Sequence, residues 1–279
     1  MRGKFRAVAW GLAAFGLCLA TATIVASDIR HAPDSRPLIA QEGTCAVTWV
    51  GREAEFEAYL RTAEFTRMED VPVGVTKPRR GFFEPPGPIV SFAWKLLPPG
   101  LKSGYWESYK AEIAAYELDK LLGMHMVPPT AERRIDGDLG AVQQWVEPVT
   151  GWRIDEPVRG PEPEWSKRVN RMKLFDLLSG NIDRNQGNLL YDGDYHLILI
   201  DHSRAFTDKK DLKNIAATSR VDAWLWSKIE ALTREQLQAA LGPWLREKEI
   251  NAILARRDKM REAIGQLVAD RGEAAVFIR

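Results

Sequence analysis

The clearest indication of the fold comes from Asn181-Ile-Asp-Arg-Asn-Gln-Gly-Asn188, and the run Leu197-Ile-Leu-Ile-Asp-His-Ser203 follows it closely. The first stretch is polar and carries an aspartate, Asp183, with an asparagine, Asn188, five positions later. The second begins as an apolar strand and reaches another aspartate, Asp201. Two carboxylates and an amide oxygen therefore come from neighbouring elements. Such oxygens are the ligands that hard divalent cations prefer.

This combination matches the needs of phosphoryl transfer from a metal-bound nucleotide. One carboxylate orients the attacking hydroxyl, while an amide oxygen and a second carboxylate hold the metal. We therefore predict Asp183 as the catalytic aspartate and Asn188 and Asp201 as ligands of Mg²⁺ or Mn²⁺. We expect Arg184 or Lys95 to keep Asp183 ionised. A polar turn before a hairpin is the alternative, but it leaves the coincidence of three residue types and two spacings unexplained.

A lysine, Lys95, lies inside the apolar run Ile89-Val-Ser-Phe-Ala-Trp-Lys-Leu-Leu97. An ammonium group there loses hydration unless it meets an anion, such as a carboxylate or a nucleotide phosphate. The spacing of apolar residues predicts an amphipathic helix over 108–122, which carries Glu112 and Glu117. We predict that Lys95 and Glu112 pair and bind the nucleotide. A lysine on an edge strand and a solvated helical glutamate are the alternative interpretations.

A basic turn, Lys77-Pro-Arg-Arg80, separates the strand-like runs 71–76 and 81–83 and indicates a hairpin. Lys77 and Arg80 are candidate ligands of nucleotide phosphates, although a solvated hairpin tip explains them as well, because the pattern G-x-G-x-x-G is absent. Glu147 ends the run Trp145-Val-Glu147, which we interpret as a hinge where main-chain groups could meet a nucleotide base.

The chain has 279 residues, is 45% hydrophobic and carries a formal net charge of +1. This composition is that of a globular protein, and it gives no support to nucleic-acid binding. Strand patterns dominate the first half and helical patterns the second. We predict an α+β, two-lobed protein-kinase-like fold, with a small strand-rich N-lobe at 71–150 and a helical C-lobe at 151–279. Residues 28–70 are predicted to be a linker and an N-terminal extension.

Several local patterns support this division. We expect helices over 53–67, from Trp165 to Gly180, and over 221–232, 237–241 and 244–264. Antiparallel strands are expected at 130–135 and 140–146, and a hairpin over 189–200.

Residues 1–27 have the pattern of a signal peptide or a signal-anchor. Basic residues precede an apolar run, 7–26, that could anchor the chain in a membrane and leave the remainder outside the cytoplasm. A buried N-terminal helix is the alternative. Cys45 is the cysteine that follows this segment, so the domain behind it has no partner for an internal disulfide. The histidines are scattered, and no Cys/His spacing typical of zinc is present.

Three segments resemble a known family. Lys110-Ala-Glu-Ile-Ala-Ala-Tyr-Glu-Leu-Asp-Lys-Leu-Leu-Gly123 is similar to a helix of the secretory-pathway kinases, the group of the Golgi casein kinase and proteoglycan xylose kinase. Phe175–Arg184 resembles their catalytic loop, and Leu199–Phe206 resembles their metal-binding segment. The pattern Asp-Arg-x-x-x-Asn, from Asp183 to Asn188, is also similar to that of phosphatidylinositol kinases.

The resemblance implies an atypical kinase fold that binds ATP and a divalent metal, with Lys95 on the ATP phosphates and Glu112 near the metal and the lysine. It departs from the Golgi kinases at Asn188, where they have a glutamate-like position, and in lacking their cysteines. The function expected is transfer of the γ-phosphoryl group of ATP to a hydroxyl of a protein or glycan. One alternative is an inactive, nucleotide-binding pseudokinase, because ATP is scarce outside the cytoplasm. The other is a small-molecule phosphotransferase, which would use the same catalytic residues with a different acceptor pocket.

Overall fold

The computed structural model describes residues 45–72, 78–85, 87–152, 160–212 and 218–279. The predicted signal segment, residues 28–44 of the predicted linker and extension, and Lys77 lie outside the described residues. The chain divides into two compact units, Met1–Arg36 and Pro37–Arg279, and all described residues belong to the second. Within the described ranges, no helix has the length and apolar character needed to cross a bilayer.

The second unit has an α+β fold, which confirms the predicted class. Its helices α1 to α7 are Glu53–Thr62, Tyr109–Leu122, Glu164–Ser179, Ala223–Glu230, Arg234–Leu241, Glu247–Arg271 and Glu273–Val276. Its strands β1 to β12 are Phe65–Asp70, Arg79–Phe83, Ser91–Lys95, Gly100–Lys102, Tyr105–Glu107, Thr130–Ile135, Asp138–Gln144, Thr150–Gly151, Leu189–Tyr191, Leu197–Leu199, Val221–Asp222 and Phe277–Ile278. A 3₁₀ helix, Gln186–Asn188, precedes β9.

A five-stranded antiparallel sheet, in the order β1-β2-β3-β7-β6, forms the first half of this unit. Helix α1 shares a buried core with one face of this sheet, to which Phe56, Phe92 and Trp94 contribute. Because side chains alternate between the faces of a strand, Lys95 in β3 points to the opposite face from Trp94. The alternation thus directs the lysine away from the α1 core.

Helix α2 follows the prediction closely. The Ser108 side chain accepts a hydrogen bond from the Lys110 main-chain N–H at 3.0 Å, which caps the first turn. Gly123 ends the helix with a φ of 67°, a conformation that glycine adopts readily. A small cluster that includes Leu97 and Ile113 packs α2 onto the sheet. Glu112 is thereby held in the first turn of α2, beside the end of β3.

Helices and short strands form the second half around the largest core cluster, which extends from α2 to α7. Helix α3 ends at Gly180, whose φ of 67° turns the chain into the polar loop 181–188. Strands β9 and β10 form the expected antiparallel hairpin. Helix α5 begins with the capping box of Thr233 and Gln236.

Two local predictions were wrong. Helix α1 ends at Thr62 and not near residue 67, because Ala63 is extended and β1 pairs with β2. The basic hairpin therefore has β1 as its first strand; Val71 and Pro72 are outside any strand, and 73–77 lie outside the described residues. The β4–β5 hairpin was not predicted at all. The boundaries of the two lobes stay a prediction.

Candidate active site

A buried lysine connects the sheet, helix α2 and Asp201. Lys95 Nζ lies 2.7 Å from Glu112 Oε1 and 3.1 Å from Asp201 Oδ1. The side chains of Lys95 and Glu112 are 7% and 1% exposed, whereas that of Asp201 is 29% exposed. The lysine and glutamate expected to pair are thus in contact, and Asp201 is the member of the group that reaches solvent.

These three groups shift one another's pKa. Burial disfavours the ammonium, but the carboxylates of Glu112 and Asp201 outweigh burial and raise the pKa of Lys95. Lys95 in turn lowers the pKa of Asp201, whereas burial raises the pKa of Glu112. The lysine therefore stays protonated. Asp201, whose pKa is lowered and whose side chain reaches solvent, is the carboxylate of this group that can attract a further cation.

His202 fixes the backbone beside Asp201. Its main-chain N–H donates to Glu112 Oε2 at 3.0 Å, and its ring Nε2 lies 2.8 Å from Arg184 Nη2. Burial, assisted by Arg184 and Lys95, lowers the pKa of His202 well below its usual value, so the ring is neutral and accepts from Arg184. Asp201 has a φ of 61°, a left-handed conformation that aspartate tolerates better than most residues.

The loop after α3 holds the main chain of Asp183 from both sides. Its N–H donates to Asn181 Oδ1 at 3.1 Å. Its carbonyl accepts from Asn185 Nδ2 at 3.1 Å and from Asn188 Nδ2 at 3.0 Å. Since the amide nitrogen of Asn188 faces Asp183, its amide oxygen is the atom left to meet a ligand.

Arg184 belongs to the frame of the loop and does not contact the Asp183 carboxylate. Its Nε and Nη2 donate to Asp176 at 3.0 and 2.9 Å. Its Nη1 donates at 2.9 Å to the carbonyls of both Asn188 and Ile200. The expectation that Arg184 or Lys95 is the cation beside Asp183 was wrong, because both cations have other carboxylate partners. Arg184 instead joins Asn188 to the residue that precedes Asp201.

Arg204 is the cation that contacts Asp183. Its Nη1 lies 3.1 Å from Asp183 Oδ2, its Nε donates to Glu107 at 2.7 Å, and its guanidinium lies 4.5 Å from the centre of the Tyr105 ring. Sequence reasoning missed both Arg204 and Glu107, since they come from separate elements. Arg204 follows Asp201 by three residues, and this proximity was the signal that could have indicated it.

Arg80 and Glu147 pair with each other beside the sheet. Arg80 Nη2 lies 2.7 Å from Glu147 Oε2 and 2.8 Å from the Ser91 hydroxyl, and the guanidinium lies 4.5 Å from the Trp145 ring centre. Arg80 pairs across the strands with Ala93, two residues before Lys95, so both cations belong to the same face of the sheet. No contact joins Arg80 or Glu147 to Lys95 in the described residues.

The donors near Lys95 fit a hard divalent cation. They offer the Asp201 carboxylate and the Asn188 amide oxygen, which are oxygen ligands suited to Mg²⁺ or Mn²⁺. Arg184 brings their backbones together, as described above. The excess of carboxylate over ammonium around Lys95 supplies the charge that such an ion requires.

Comparison with solved structures identifies the fold. The structure of hydra Fam20 with sugar has a TM-score of 0.65 and 17% identity, and the match covers 81% of this chain and 91% of that one. The Golgi casein kinase with Mn/ADP bound has a TM-score of 0.61 and 16% identity, with 81% and 78% covered. A proinflammatory kinase of Helicobacter pylori, CtkA, has a TM-score of 0.52 and 11% identity, with 76% and 97% covered.

Neither protein-family models nor curated protein sequences gave a match to the chain. The structural neighbours are therefore the relevant comparison, and at these identities they show the fold. The order of elements seen here, a strand-rich half with helix α2 followed by a helical half, is the order that was expected. The chain has the two-lobed α+β fold of the Fam20-like atypical kinases.

Proposed function

We propose that the protein is an ATP-dependent phosphotransferase of the atypical kinase type, which moves the γ-phosphoryl group to a hydroxyl of a protein or a glycan. The observation that supports this most strongly is the contact of Lys95 with both Glu112 and Asp201. Well-packed apolar side chains often stabilise a core as well as a buried ion pair does. A buried lysine between two carboxylates is therefore better explained by binding of phosphate and metal.

In this proposal, four side chains bind the nucleotide and its metal: Lys95, Glu112, Asn188 and Asp201. Glu112 holds Lys95 so that its ammonium can donate to phosphate oxygens, and Asn188 and Asp201 hold the divalent cation. When bound, Mg²⁺ or Mn²⁺ neutralises charge that develops on the transferred phosphoryl oxygens. The lowered pKa of Asp201 supports this assignment, because a metal ligand must be ionised.

Asp183 and Arg204 serve the acceptor. Asp183 orients the acceptor hydroxyl and receives its proton. Arg204 contacts Oδ2, so we assign Oδ1 to the hydroxyl. Glu107, whose side chain is 6% exposed, keeps Arg204 in place. Arg204 is therefore a positioning residue, and acceptor and nucleotide are served by separate cations.

We also assign nucleotide binding to three residues in addition to the Lys95 group: Arg80, Glu147 and Lys77. Arg80 shares a sheet face with Lys95, which favours a role near phosphate or ribose once its pair with Glu147 rearranges. The Trp145 main-chain N–H already donates to the Ser91 carbonyl at 2.9 Å. The main chain of Val146 and Glu147 is therefore the part of the hinge that we assign to the adenine base.

The neighbours support the proposed acceptor class, and the predicted leader supports the proposed location. One neighbour is described with a sugar and another as a casein kinase of the Golgi, which favours a glycan or protein hydroxyl. The Golgi belongs to the secretory route, and the signal-like segment of this chain favours export or membrane anchoring as well. We therefore propose that the domain acts outside the cytoplasm.

The test is phosphate transfer by the full chain from labelled ATP with Mg²⁺ or Mn²⁺. Dephosphorylated casein and a xyloside are offered as acceptors, and ADP release is measured in parallel. We expect transfer by the wild type and a loss on the order of 10³-fold in Asp183→Asn, Lys95→Met and Asp201→Asn, because each removes a group that acts in the transition state. Asp270→Asn, at the exposed end of α6, is the matched control.

The pattern of failures separates the alternatives. Metal-dependent ATP binding with neither ADP release nor labelled product would refute the phosphotransferase and favour the pseudokinase. ADP release that persists equally in Asp183→Asn and Asp201→Asn would refute the residue assignments. Arg204→Gln should lower kcat more than it raises the KM for ATP, since Arg204 contacts Asp183 and not the lysine group.

A further inference from the structure

Three side chains that suit a transition metal converge outside the kinase-like site. Cys45, Asp194 and His196 each offer a ligand atom, and these atoms lie within 4.8 Å of one another. Cys45 Sγ is 3.8 Å from His196 Nδ1. The cysteine precedes α1, whereas the other two follow β9. Because they are far apart in sequence, no sequence motif relates them.

A buried carboxylate builds this cluster from beneath. Asp192 is fully buried and accepts from the main-chain N–H groups of Ala46 at 2.9 Å, Asp194 at 3.0 Å and His196 at 2.8 Å. Each of these N–H groups belongs to a candidate ligand or to its immediate neighbour. Asp192 therefore holds the chain around residue 45 against the turn that carries Asp194 and His196.

The same carboxylate orients the imidazole. Asp192 Oδ2 lies 3.0 Å from His196 Nδ1. An ion bound to Nδ1 would replace this contact, so in the metal-bound form Asp192 supports the cluster through the main-chain N–H groups that it accepts from. A pocket of about 320 Å³, lined in part by Cys45 and His196, opens beside the cluster and gives an ion and its water a route of access.

We propose that Cys45, Asp194 and His196 bind one Zn²⁺ ion, with a water molecule as the fourth ligand. A sulfur, a nitrogen and an oxygen ligand together suit Zn²⁺, whereas Mg²⁺ and Ca²⁺ prefer oxygen alone. Binding forms a zinc–sulfur bond and releases the Cys45 thiol proton to solvent. The ion is held by the protein and takes no part in phosphoryl transfer.

The ligand atoms must approach one another slightly for this. Bonds of roughly 2.0–2.3 Å to a tetrahedral zinc put ligand atoms about 3.5 Å apart. The Cys45–His196 distance of 3.8 Å is close to this value, and the wider limit of 4.8 Å requires a shift of about 1 Å. Cys45 and Asp194 are exposed, so their side chains can rotate to make it.

A bound ion would join the segment before α1 to the β9–β10 hairpin. The hairpin belongs to the same short sheet as β8, so the link would secure the start of the folded unit onto its second half. We therefore expect zinc to raise the melting temperature while leaving the ATP site unchanged.

The test is zinc binding by the full chain after removal of metal with a chelator, measured by competition with a zinc-sensitive dye. We expect one ion per chain in the wild type. Loss of a contact that merely supports a metal ligand weakens binding about 10- to 100-fold. Cys45→Ser and His196→Gln remove ligands themselves, so each should raise the Kd for zinc by at least this factor. His125→Gln is the matched control, since His125 lies in the same pocket but outside the cluster.

Cobalt provides a second measurement that does not depend on stability. Co²⁺ in the wild type should give a thiolate-to-metal charge-transfer band, and Cys45→Ser should lack it. Zinc binding that is equal in the wild type and in both ligand variants, or a cobalt spectrum without a thiolate band, would overturn the proposal. Mg²⁺-dependent ATP binding is measured on the same samples. It tests the kinase-like site independently, so failure of the zinc proposal can be distinguished from failure of the proposed function.

Discussion

The two ends of helix α2 bury the same chemical group in different surroundings. Glu112 in the first turn and Asp119 in the last two turns are 0% and 1% exposed and lie seven residues apart, on one face of the helix. Glu112 meets the ammonium of Lys95. Among the described residues, the Asp119 carboxylate accepts from main-chain N–H groups, that of Met126 at 3.0 Å.

The difference shows that burial of a carboxylate is not by itself a sign of a binding site. At the first end, a cation and a second carboxylate face the buried group, and the arrangement is suited to take up phosphate and metal. At the other end, Asp119 closes the turn that follows Gly123, and among the described residues no side-chain cation forms an ion pair with its carboxylate. A candidate binding site is therefore indicated by the partner of the buried carboxylate, and not by burial alone.

The largest effect is expected at Lys95. Lys95→Met removes the cation and leaves Glu112 and Asp201 facing each other in a buried place. Breaking a buried ion pair in this way costs roughly 3–5 kcal/mol of unfolding free energy. Urea denaturation followed by circular dichroism measures it, and ATP binding should be lost at the same time.

A double variant distinguishes the ion pair from simple packing. Lys95→Met combined with Glu112→Gln should recover part of the stability, because no unpaired buried charge remains at Glu112. It should not recover ATP binding. A Lys95→Met protein as stable as the wild type would break the comparison, since the two ends of α2 would then be equivalent.

The second effect concerns Asp119 and is a dependence on pH. Burial, opposed by main-chain hydrogen bonds, raises the pKa of Asp119 from 3.8 to about 7. Between these values the folded protein holds a proton that the unfolded chain has released. This group therefore stabilises the fold fully below about pH 4, and its contribution falls as pH rises to 7, by about 1.4 kcal/mol per unit.

Asp119→Asn tests the sign of this effect. Asparagine keeps a carbonyl oxygen for the Met126 N–H but does not titrate. The unfolding free energy of the wild type minus that of the variant should therefore decrease from pH 4 to pH 7. The exposed Asp138→Asn variant should keep the slope of the wild type. A difference that increases with pH would show that Asp119 is held ionised by its N–H donors.

The sequence was sufficient for the parts of the site that depend on local pattern. Lys95 was conspicuous because a charge interrupts an apolar strand, and Glu112 because a helix with clear capping residues follows it. Asp183, Asn188 and Asp201 lie within one loop and one strand end, so spacing alone related them. Their contacts and backbone geometry agree with that relation, while their roles in catalysis stay a prediction.

Contacts between distant elements were beyond sequence reasoning. Arg204 was missed as the partner of Asp183 because its position depends on Glu107, at the end of the unpredicted strand β5. The short strands β4 and β5 have too few residues to show a period. Cys45 and His196 are brought together by the Asp192 carboxylate, which accepts from the main-chain N–H groups of Ala46 and His196, and these hydrogen bonds depend on the finished fold.

The smallest effect is expected at Lys120, which lies in the last turn of α2. Its Nζ lies 2.5 Å from Glu57 Oε1 and 3.0 Å from Glu117 Oε2, yet its side chain is 29% exposed, against 7% for Lys95. Glu57 and Glu117 are 12% and 17% exposed, so this group is partly buried. Water and salt still reach Lys120, and we expect its contribution to be near the roughly 0–1 kcal/mol of a surface pair. The Tyr116 hydroxyl also donates to Glu57 at 3.1 Å, so Glu57 keeps a partner when Lys120 is removed.

Lys120→Met should therefore lower the unfolding free energy by no more than about 1 kcal/mol and leave ATP binding unchanged. Urea denaturation of Lys120→Met and Lys95→Met under the same conditions compares their unfolding free energies directly. Each of these lysines pairs with a glutamate of α2. Raising the salt concentration should reduce the Lys120 effect further while the Lys95 effect persists, because buried pairs are screened much less. Equal losses for the two variants would mean that the ammonium of Lys95 is no more dependent on its carboxylates than an ordinary surface charge, and the case for a phosphate-binding lysine would lose its physical basis.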